Sequence, residues 1–578
     1  MIIILQSPTV SPYPTIVRWE EAGASLVTAL TNYMGLCLNL GTDSLREGAD
    51  TKDLVSRVDF TLAVVHTAMS YHLNESKAAL ARTRNKLASR FFRLPQEVVS
   101  EIFANVVFDH NDSASSGRRS LEHDGRMLYR RLYNLLGVCS SWRDLISVRG
   151  ALWSVIPIFE NRSDRKHKAV KRILHRAGGS PLHLAVSMAW SAPRRLTKII
   201  AEHGPRLRTL NVSASGRHVI REAIHNVLQH DPRLSLTELS IRFENPSVVN
   251  YRMPGETEYL ISRDHSNYAS FARLMETLTA FRISGIHVPW ETIASSTRLV
   301  EVRIEQVAIG YDSAIIPFVR SLSSAPNLRD LKVISVSTFH DLGATQGHNS
   351  SAPVTFPNLE TLLLQDLYYN TLEHLLPVVS PGSYHLTLFL TRKSLETNMI
   401  RDAPGDEEEE EDRELVDISE LGSALTQARV DTLMISGNWG ECWLTGPEIR
   451  ALLISVPAVK TLKISGWDLD HSIWRALRRS PAARRHPEDH RFPVFENLHF
   501  SCVKIINQRG LKNMITSHPI QGMVLGAIFS DITDELSEWS CDEDDGIVQW
   551  LKVNIPVLHL LNSTHRPPEF HLDVWQLW

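Results

Sequence analysis

Cysteine is scarce in this chain. Five occur among 578 residues, at positions 37, 139, 442, 502 and 541, and none forms a C-x-x-C pair. An odd count at such spacing excludes a disulfide framework and a zinc knuckle, and it suits a reducing compartment. An excess of one charge is also lacking. Lys and Arg number 61 against 65 Asp and Glu, so the net charge is −4. That argues against a nucleic-acid or acidic-membrane surface spread over the whole protein. No long apolar run is present. The greasiest stretch, Leu26 to Leu40, is broken by Thr28, Thr31, Asn32, Gly35 and Asn39. It is shorter than a membrane span and reads as a buried helix. Met1 to Leu5 is apolar, but it is too short for a secretory core and no basic segment precedes it. The expected location is cytoplasmic or nuclear, with neither a membrane nor a nucleic acid as partner.

Signatures of chemistry are missing too. The chain has no G-x-x-x-x-G-K-[ST], no G-x-G-x-x-G after a strand, no H-E-x-x-H and no G-x-S-x-G. Its 25 histidines are dispersed, and His183, His203 and His225 show no ligand spacing. We therefore expect no metal, no cofactor and no catalysis by this chain. An enzyme whose site is assembled only in space is the remaining alternative.

What is present is an ordinary globular composition, 43% hydrophobic and 22% charged, with ample material for a core. Residues 20–90 read as helical. Leu54, Val58, Leu62, Val65 and Met69 recur at steps of three and four, and Leu73, Leu80 and Leu87 continue at steps of seven. This stripe predicts a helical hairpin packed on the next domain, with a coiled-coil dimer as the alternative.

A second unit covers 94–153. Leu94-Pro95 precedes a short amphipathic helix in which Val98, Ile102 and Val106 share a face and Glu97 suits the first turn. Residues 109–126 are polar and read as a loop. A second helix is expected around Leu128, Leu132, Leu135 and Leu136, and a third over Val138–Ile146, before a closing Leu152-Trp153. Residues 160–176 are rich in Lys and Arg without interleaved aromatics. They read as a solvated helix face in preference to a base-stacking patch.

From about residue 180 a phrase of the form L-x-x-L-x-L returns. Examples are Leu207-Arg-Thr-Leu210-Asn-Val212, Leu236-Thr-Glu-Leu239-Ser-Ile241, Leu328-Arg-Asp-Leu331-Lys-Val333, Leu359-Glu-Thr-Leu362-Leu-Leu364 and Val459-Lys-Thr-Leu462-Lys-Ile464. Variant copies centre on Phe281, Val302, Leu433 and Leu498. The steps from Leu210 to Leu239 and from Val302 to Leu331 are both 29 residues; others are less regular. The alternating end of each phrase predicts a short strand with one buried face, and helical runs lie between. Pro326-Asn327-Leu328 and Pro357-Asn358-Leu359 mark strand starts. This is the leucine-rich repeat pattern, which implies stacking, because no repeat can bury its own apolar face. A non-repetitive βαβ sheet is the alternative. Arg208, Glu238, Arg242, Arg303, Glu305, Lys332 and Lys463 sit at x positions and read as solvated surface. The acidic run Asp406–Asp412 reads as a solvated loop, as does Cys541–Asp545.

The fold class expected is α+β or α/β, in four segments: an N-terminal helical segment (1–90), a three-helix unit (91–156), a basic connecting segment (157–180), and an irregular leucine-rich-repeat-like solenoid (181–578) with an acidic loop at 404–414.

The pattern Leu94-Pro95-x-Glu97-Val98 … Ile102-Phe103 … Val138-Cys139-x-x-Trp142-Arg143-x-Leu145 … Leu152-Trp153 resembles an F-box. A looser resemblance to fungal F-box proteins extends over the flanking helices and repeats. The resemblance implies a substrate receptor of an SCF-type ubiquitin ligase, monomeric outside the complex. Its partners would be a Skp-family adaptor, a cullin scaffold and a target protein. Carried over by position, Leu94 and Pro95 would touch the adaptor, and Val98, Ile102 and Phe103 would supply the apolar face of the first helix. Val138, Cys139, Trp142 and Leu145 would form and hold the third helix. Polar residues 109–126 look like an insertion between the first two helices. Projecting away, they leave adaptor binding intact; lying over Leu94-Pro95, they block it. The alternative is a protein-interaction scaffold that uses the same repeats outside any ligase.

Overall fold

A computed structural model describes residues 13–88, 90–108, 120–159, 164–189, 194–229, 235–244, 253–341, 353–379, 382–400, 415–437, 442–479, 491–531, 534–540 and 546–570. The acidic run at 404–414, the Cys541–Asp545 run and most of the 109–126 segment lie outside these residues. The chain divides into two compact units, Met1–Val99 and Ser100–Trp578.

The first unit is helical. Helix α1 (Pro14–Arg46) starts with proline in its first turn, where the missing N–H costs nothing. Helix α2 (Thr51–Phe60) is capped by the Asp50 carboxylate, which accepts from the Lys52 N–H. A π turn at Thr61–Val65 leads directly into helix α3 (His66–Ala88), and Tyr33 meets His66 across the hairpin with ring centroids 5.9 Å apart. No residue of α1, α2 or α3 is buried. The Leu26–Leu40 helix is therefore not the buried one expected. Leu36, Leu38 and Leu40 succeed one another at steps of two, so they splay around the helix, and a single neighbour cannot cover them all. Leu62, Leu73, Leu80 and Leu87 of the stripe are exposed as well.

Helix α4 (Gln96–Phe108) runs through the division between the units. In the second unit, α5 (Leu121–Val138) begins on Ser120, whose hydroxyl accepts from the His123 N–H, and α6 (Ser140–Val148) follows at once. A 3-10 turn, Gly150–Trp153, then places Leu152 and Trp153 in the core. The Trp153 indole N–H donates to the Ile146 carbonyl at 2.8 Å, and the Arg176 guanidinium lies 4.3 Å over its ring. This tryptophan joins the helical block to the sheet that follows.

The sheet starts before the repeats legible in the sequence. Strand β1 (Val155–Phe159) and helix α7 (Asp164–Ala177) occupy most of the segment read as a basic connector. The parallel strands β2 (Leu182–Met188), β3 (Leu207–Ala214), β4 (Glu238–Phe243), β5 (Ala280–Ser284) and β6 (Glu301–Glu305) continue it. Two short strands, β7 (Ala308–Tyr311) and β9 (Ser337–Phe339), pair with each other and flank β8 (Asp330–Ile334) in sequence. The main array goes on through β10 (Thr361–Gln365), β11 (His385–Leu390), β12 (Thr432–Ser436) and β13 (Thr461–Ser465). It ends with β14 (Asp468–Leu469) beside β15 (Asn497–Ile505), then β16 (Gly522–Asp531), antiparallel β17 (Asp534–Ser540) and β18 (Val557–Leu560). Among the described residues this main sheet has 16 strands, and apart from the β16–β17 pair every pairing in it is parallel.

Helices α8 (Arg194–His203), α9 (Arg217–Leu228) and α10 (Tyr268–Thr277) pack side by side. A 3-10 turn, Trp290–Ser295, takes a helix's place between α10 and α11 (Ile315–Ser323). The layer continues through α12 (Tyr369–Leu375), α13 (Ile418–Leu425), α14 (Gly446–Ser455), α15 (His471–Leu477) and α16 (Gln508–Ile515). Helix α17 (Gly546–Asn554) precedes β18. One helix layer on one sheet layer, built from repeats that touch their neighbours, is the stacked solenoid that the phrase implies. The fourth residue of each phrase lies in its core: Leu210, Leu239, Phe281, Val302, Leu331, Leu362, Leu433, Leu462 and Leu498 are each at most 3% exposed. Burying such a side chain contributes about 1.5–3 kcal/mol.

Each repeat turns out of its strand in a common way. The eighth residue of the phrase has left-handed backbone in six copies: Gly285, Gln306, Ser335, Asp366, Gly466 and Cys502. In five of them its N–H donates to a carbonyl of the neighbouring strand; Gly285 to Glu305 and Gln306 to Ile334 are both 2.9 Å. The strained conformation is kept because it preserves a hydrogen bond between repeats. Where glycine stands, space is a second reason. A Cβ on Gly466 would lie 2.5 Å from the Gly437 carbonyl oxygen. The Pro-Asn-Leu strand starts also have a physical basis. The Asn327 amide donates to the Thr297 carbonyl, and Asn358 donates to Pro326, so each asparagine ties its repeat to the one before.

Candidate functional site

Two surfaces are candidates for a functional site. The first is on the short helices. Helix α4 has two apolar faces, offset by one residue. Val99, Phe103 and Val107 recur at steps of four and are buried, whereas Val98, Ile102 and Val106 recur at the same step and are exposed by 44%, 37% and 43%. Leu94, just ahead of the helix, is also exposed, as is Pro95. Phe103 differs from expectation. It was placed on the same face as Val98 and Ile102, but five residues separate it from Val98, which is about 140° of helix. It is 1% exposed, and its ring lies 4.8 Å from that of Trp142. Phe103 and Trp142 are brought together as a packing pair that holds α6. Cys139 and Leu145 are half-buried in the same block, and Val138 ends α5 exposed. Tyr129 anchors the block from below: its hydroxyl donates to the Val155 carbonyl, and burial pushes its ionisation well above the usual tyrosine range.

The second surface is the outward face of the strands. The pairing register runs one line of residues across it without a break. In order, the line is Ser187, Ser213, Arg242, Ser284, Glu305, Ile334, Gln365, Phe389, Met434, Lys463, His499, Val524 and His559. It begins polar, becomes apolar in the middle and then turns basic.

The charges at the x positions are more organised than solvated surface. Arg282, which sequence reasoning passed over, grips Glu301 with two hydrogen bonds of 2.7 and 2.6 Å and approaches Glu238 at 3.5 Å. Arg303 pairs with Glu305 at 3.2 Å, and both are buried, as is Arg242. Lys332 pairs with Asp330 at 2.9 Å. Arg282 meets Glu301 of the next strand and Glu238 of the one before, a pairing set by strand register, whereas Arg303–Glu305 and Lys332–Asp330 each lie two residues apart on one strand. That register is not visible along the sequence.

The later part of the line is already covered. The Arg566 guanidinium donates to the Ser436 hydroxyl at 2.6 Å, Glu569 accepts from Lys463 at 2.6 Å, and Phe570 is fully buried against Phe389 and Met434. Among the described residues no group of three or more His, Cys, Asp and Glu is arranged to hold a metal, and no helix is long and apolar enough to cross a membrane.

No family model matches the chain, and no curated protein matches it. Among solved structures it is similar to the leucine-rich repeat-containing protein LegL7 from Legionella pneumophila, at 11% identity over 64% of this chain and 98% of that one, with a TM-score of 0.33. It is similar to TLR13 in its complex with ssRNA13, at 12% identity over 64% of this chain and 48% of that one, with a TM-score of 0.30. A third similarity is to a chain of the Rad7 and Elc1 complex in yeast, at 10% identity over 82% of this chain and 93% of that one, with a TM-score of 0.32.

Proposed function

We propose that this chain is the substrate receptor of an SCF-type ubiquitin ligase. In this reading the short helices bind a Skp-family adaptor, through which a cullin scaffold is reached, and the strand face binds a target protein. Stacked repeats that present a broad strand face suit protein–protein interaction.

The observation that carries the adaptor reading is the exposed face of α4. A helix with one apolar face in the core and a second in solvent has surface to bury. Leu94, Val98 and Ile102 are only about two-fifths exposed, so covering them contributes roughly 0.6–1.3 kcal/mol each before the costs of association. Leu94, Pro95, Val98 and Ile102 are the proposed adaptor contacts. Val138, exposed at the end of α5, is proposed as an adaptor contact as well. Phe103, Trp142, Cys139 and Leu145 shape the helices and contact the adaptor only at their edges. The chain supplies binding, and the ubiquitin chemistry belongs to its partners.

Mixing the purified full chain with a Skp-family adaptor tests this. We expect co-elution from a sizing column, and we expect Leu94→Ala with Pro95→Ala to abolish it while the circular dichroism spectrum stays unchanged. If the intact chain binds no adaptor, the ligase reading fails, and an interaction scaffold built on the same repeats is left.

A further inference from the structure

We infer that the line Phe389, Met434, Lys463 and His499 on the strand face is a docking site for a peptide carrying an acidic residue followed by an aromatic one, and that the chain's own residues 562–570 occupy it as a stand-in. The four residues come from β11, β12, β13 and β15 and are adjacent in the pairing register. They make a short trough with an apolar end and a basic end.

The occupant matches it group for group. Phe570 sits edge-on to Phe389, with centroids 5.8 Å apart, and edge-on to His499 at 5.7 Å. With Met434 beneath, the Phe570 ring is fully buried. Glu569 lies between the two basic groups, 2.6 Å from the Lys463 Nζ and 3.1 Å from the His499 Nδ1. These hydrogen bonds, from His499 and then Lys463, hold its carboxyl down at about 2. Arg566 reaches the Ser436 hydroxyl at the trough's edge.

The way this segment is attached separates it from the sheet beneath. Strand β18 ends at Leu560, and the Leu561 N–H makes a last bond to the Leu525 carbonyl. Beyond that point, among the described residues, the backbone bonds of the segment are local: Phe570 N–H to Pro567, and His565 N–H to Asn562. It adds no strand and is held by side chains alone. Lifting it breaks no bond of the sheet and uncovers a site shaped for an acidic–aromatic pair. A target bearing that pair competes with the segment. A tethered occupant acts at an effective concentration on the order of millimolar, so it suppresses a peptide of about 10 µM affinity roughly 100-fold.

This rests on the strand face being the target-binding surface. The helical edge takes no part in the test, so loss of adaptor binding and loss of peptide binding are separate results. The probe is a fluorescein-labelled peptide with the sequence of residues 560–571, titrated by anisotropy against the full chain. We expect the native chain to bind it roughly 100-fold more weakly than Glu569→Lys, whose reversed charge expels the segment from Lys463 without leaving a cavity. Adding Lys463→Ala should remove most of the gain, because the trough then lacks the cation that takes the peptide's carboxylate. Phe570→Ala should bind the peptide as Glu569→Lys does. The inference is overturned if Glu569→Lys binds no better than the native chain, or if adding Lys463→Ala leaves that binding untouched. Unfolding of both Glu569→Lys and Phe570→Ala also overturns it, since the segment is then part of the core and not an occupant.

Discussion

His287 is the residue whose surroundings most clearly set a measurable property. It is 1% exposed, stacks near Tyr259 with centroids 5.5 Å apart, and leaves its Nε2 without a hydrogen-bond partner. Burial, helped by the nearby Arg217, pushes its ionisation down from 6.5 to about 4. Arg217 is itself paired with Glu258 at 2.9 Å. Below pH 6.5 the unfolded chain takes up a proton that the folded chain refuses, so stability is lost as the pH falls from about 6.5 to about 4. The loss approaches about 3 kcal/mol at the lower end. Urea unfolding at pH 7 and pH 4.5 should show this as a lower midpoint in acid. His287→Leu should shrink the difference, and an unchanged difference would assign the acid sensitivity elsewhere. The sequence showed His287 only as one of many scattered histidines. Its burial comes from a bridge between Tyr259 and His287 that joins two distant loops, and no local pattern announces that.

Among the elements, α4 separates what periodicity tells from what it leaves out. The spacing of Val98, Ile102 and Val106 identified a face, and the structure has that face. Periodicity could not tell which of two neighbouring apolar rows enters the core, because both have the same step. The core took the row that brings Phe103 to Trp142. The two rows should answer differently to substitution. Phe103→Ala should cost about 3–5 kcal/mol, as large core truncations do. Ile102→Asp should leave the melting temperature within a few degrees and strike only at partner binding. Equal destabilisation by both would mean that the exposed row is covered within the chain.

The strands tell a similar story. Nine phrases were legible because L-x-x-L-x-L fixes both the turn into the strand and its buried side. Strand β11, His385-Leu-Thr-Leu-Phe-Leu390, alternates equally well but has no leucine three residues ahead of its first buried one, so it was passed over. Strands β1 and β2 precede the first full phrase, and β16 carries Gly522 and Gly526 where the phrase has larger residues.

On the scale of the whole molecule, the described structure joins a helical block to a repeat array through Trp153. Trp153→Ala should cost about 3–5 kcal/mol. Because a stacked array transmits stability only between neighbours, the loss should fall first on nearby segments. Hydrogen exchange should quicken in α5, α6, β1 and β2 and stay unchanged in β12 to β15. Uniform quickening would mean that the array unfolds as one cooperative body. The alternation of strand and helix, and so the solenoid, was readable along the chain. The Arg282–Glu301 pair on its face, and the segment lying across that face, were not. Both depend on which residues end up side by side across strands, a relation set by register and not by proximity in sequence.

Between β4 and β15 that register contains one seam. From β4 to β10 the fourth residue of each phrase lies beside the fourth of the next, and the same holds from β12 to β15. Across β11 the alignment slips by two: Leu362 meets Leu386, but Leu388 meets Leu433. An even slip keeps every buried side chain buried, so the core does not register it, but the outer face does. A unit copied and inserted on one side of the seam would stay in frame, whereas one transplanted across it would carry its outward residues two places off line. The array is therefore two dialects of one repeat, and lengthening it by duplication is open within each of them but closed between them.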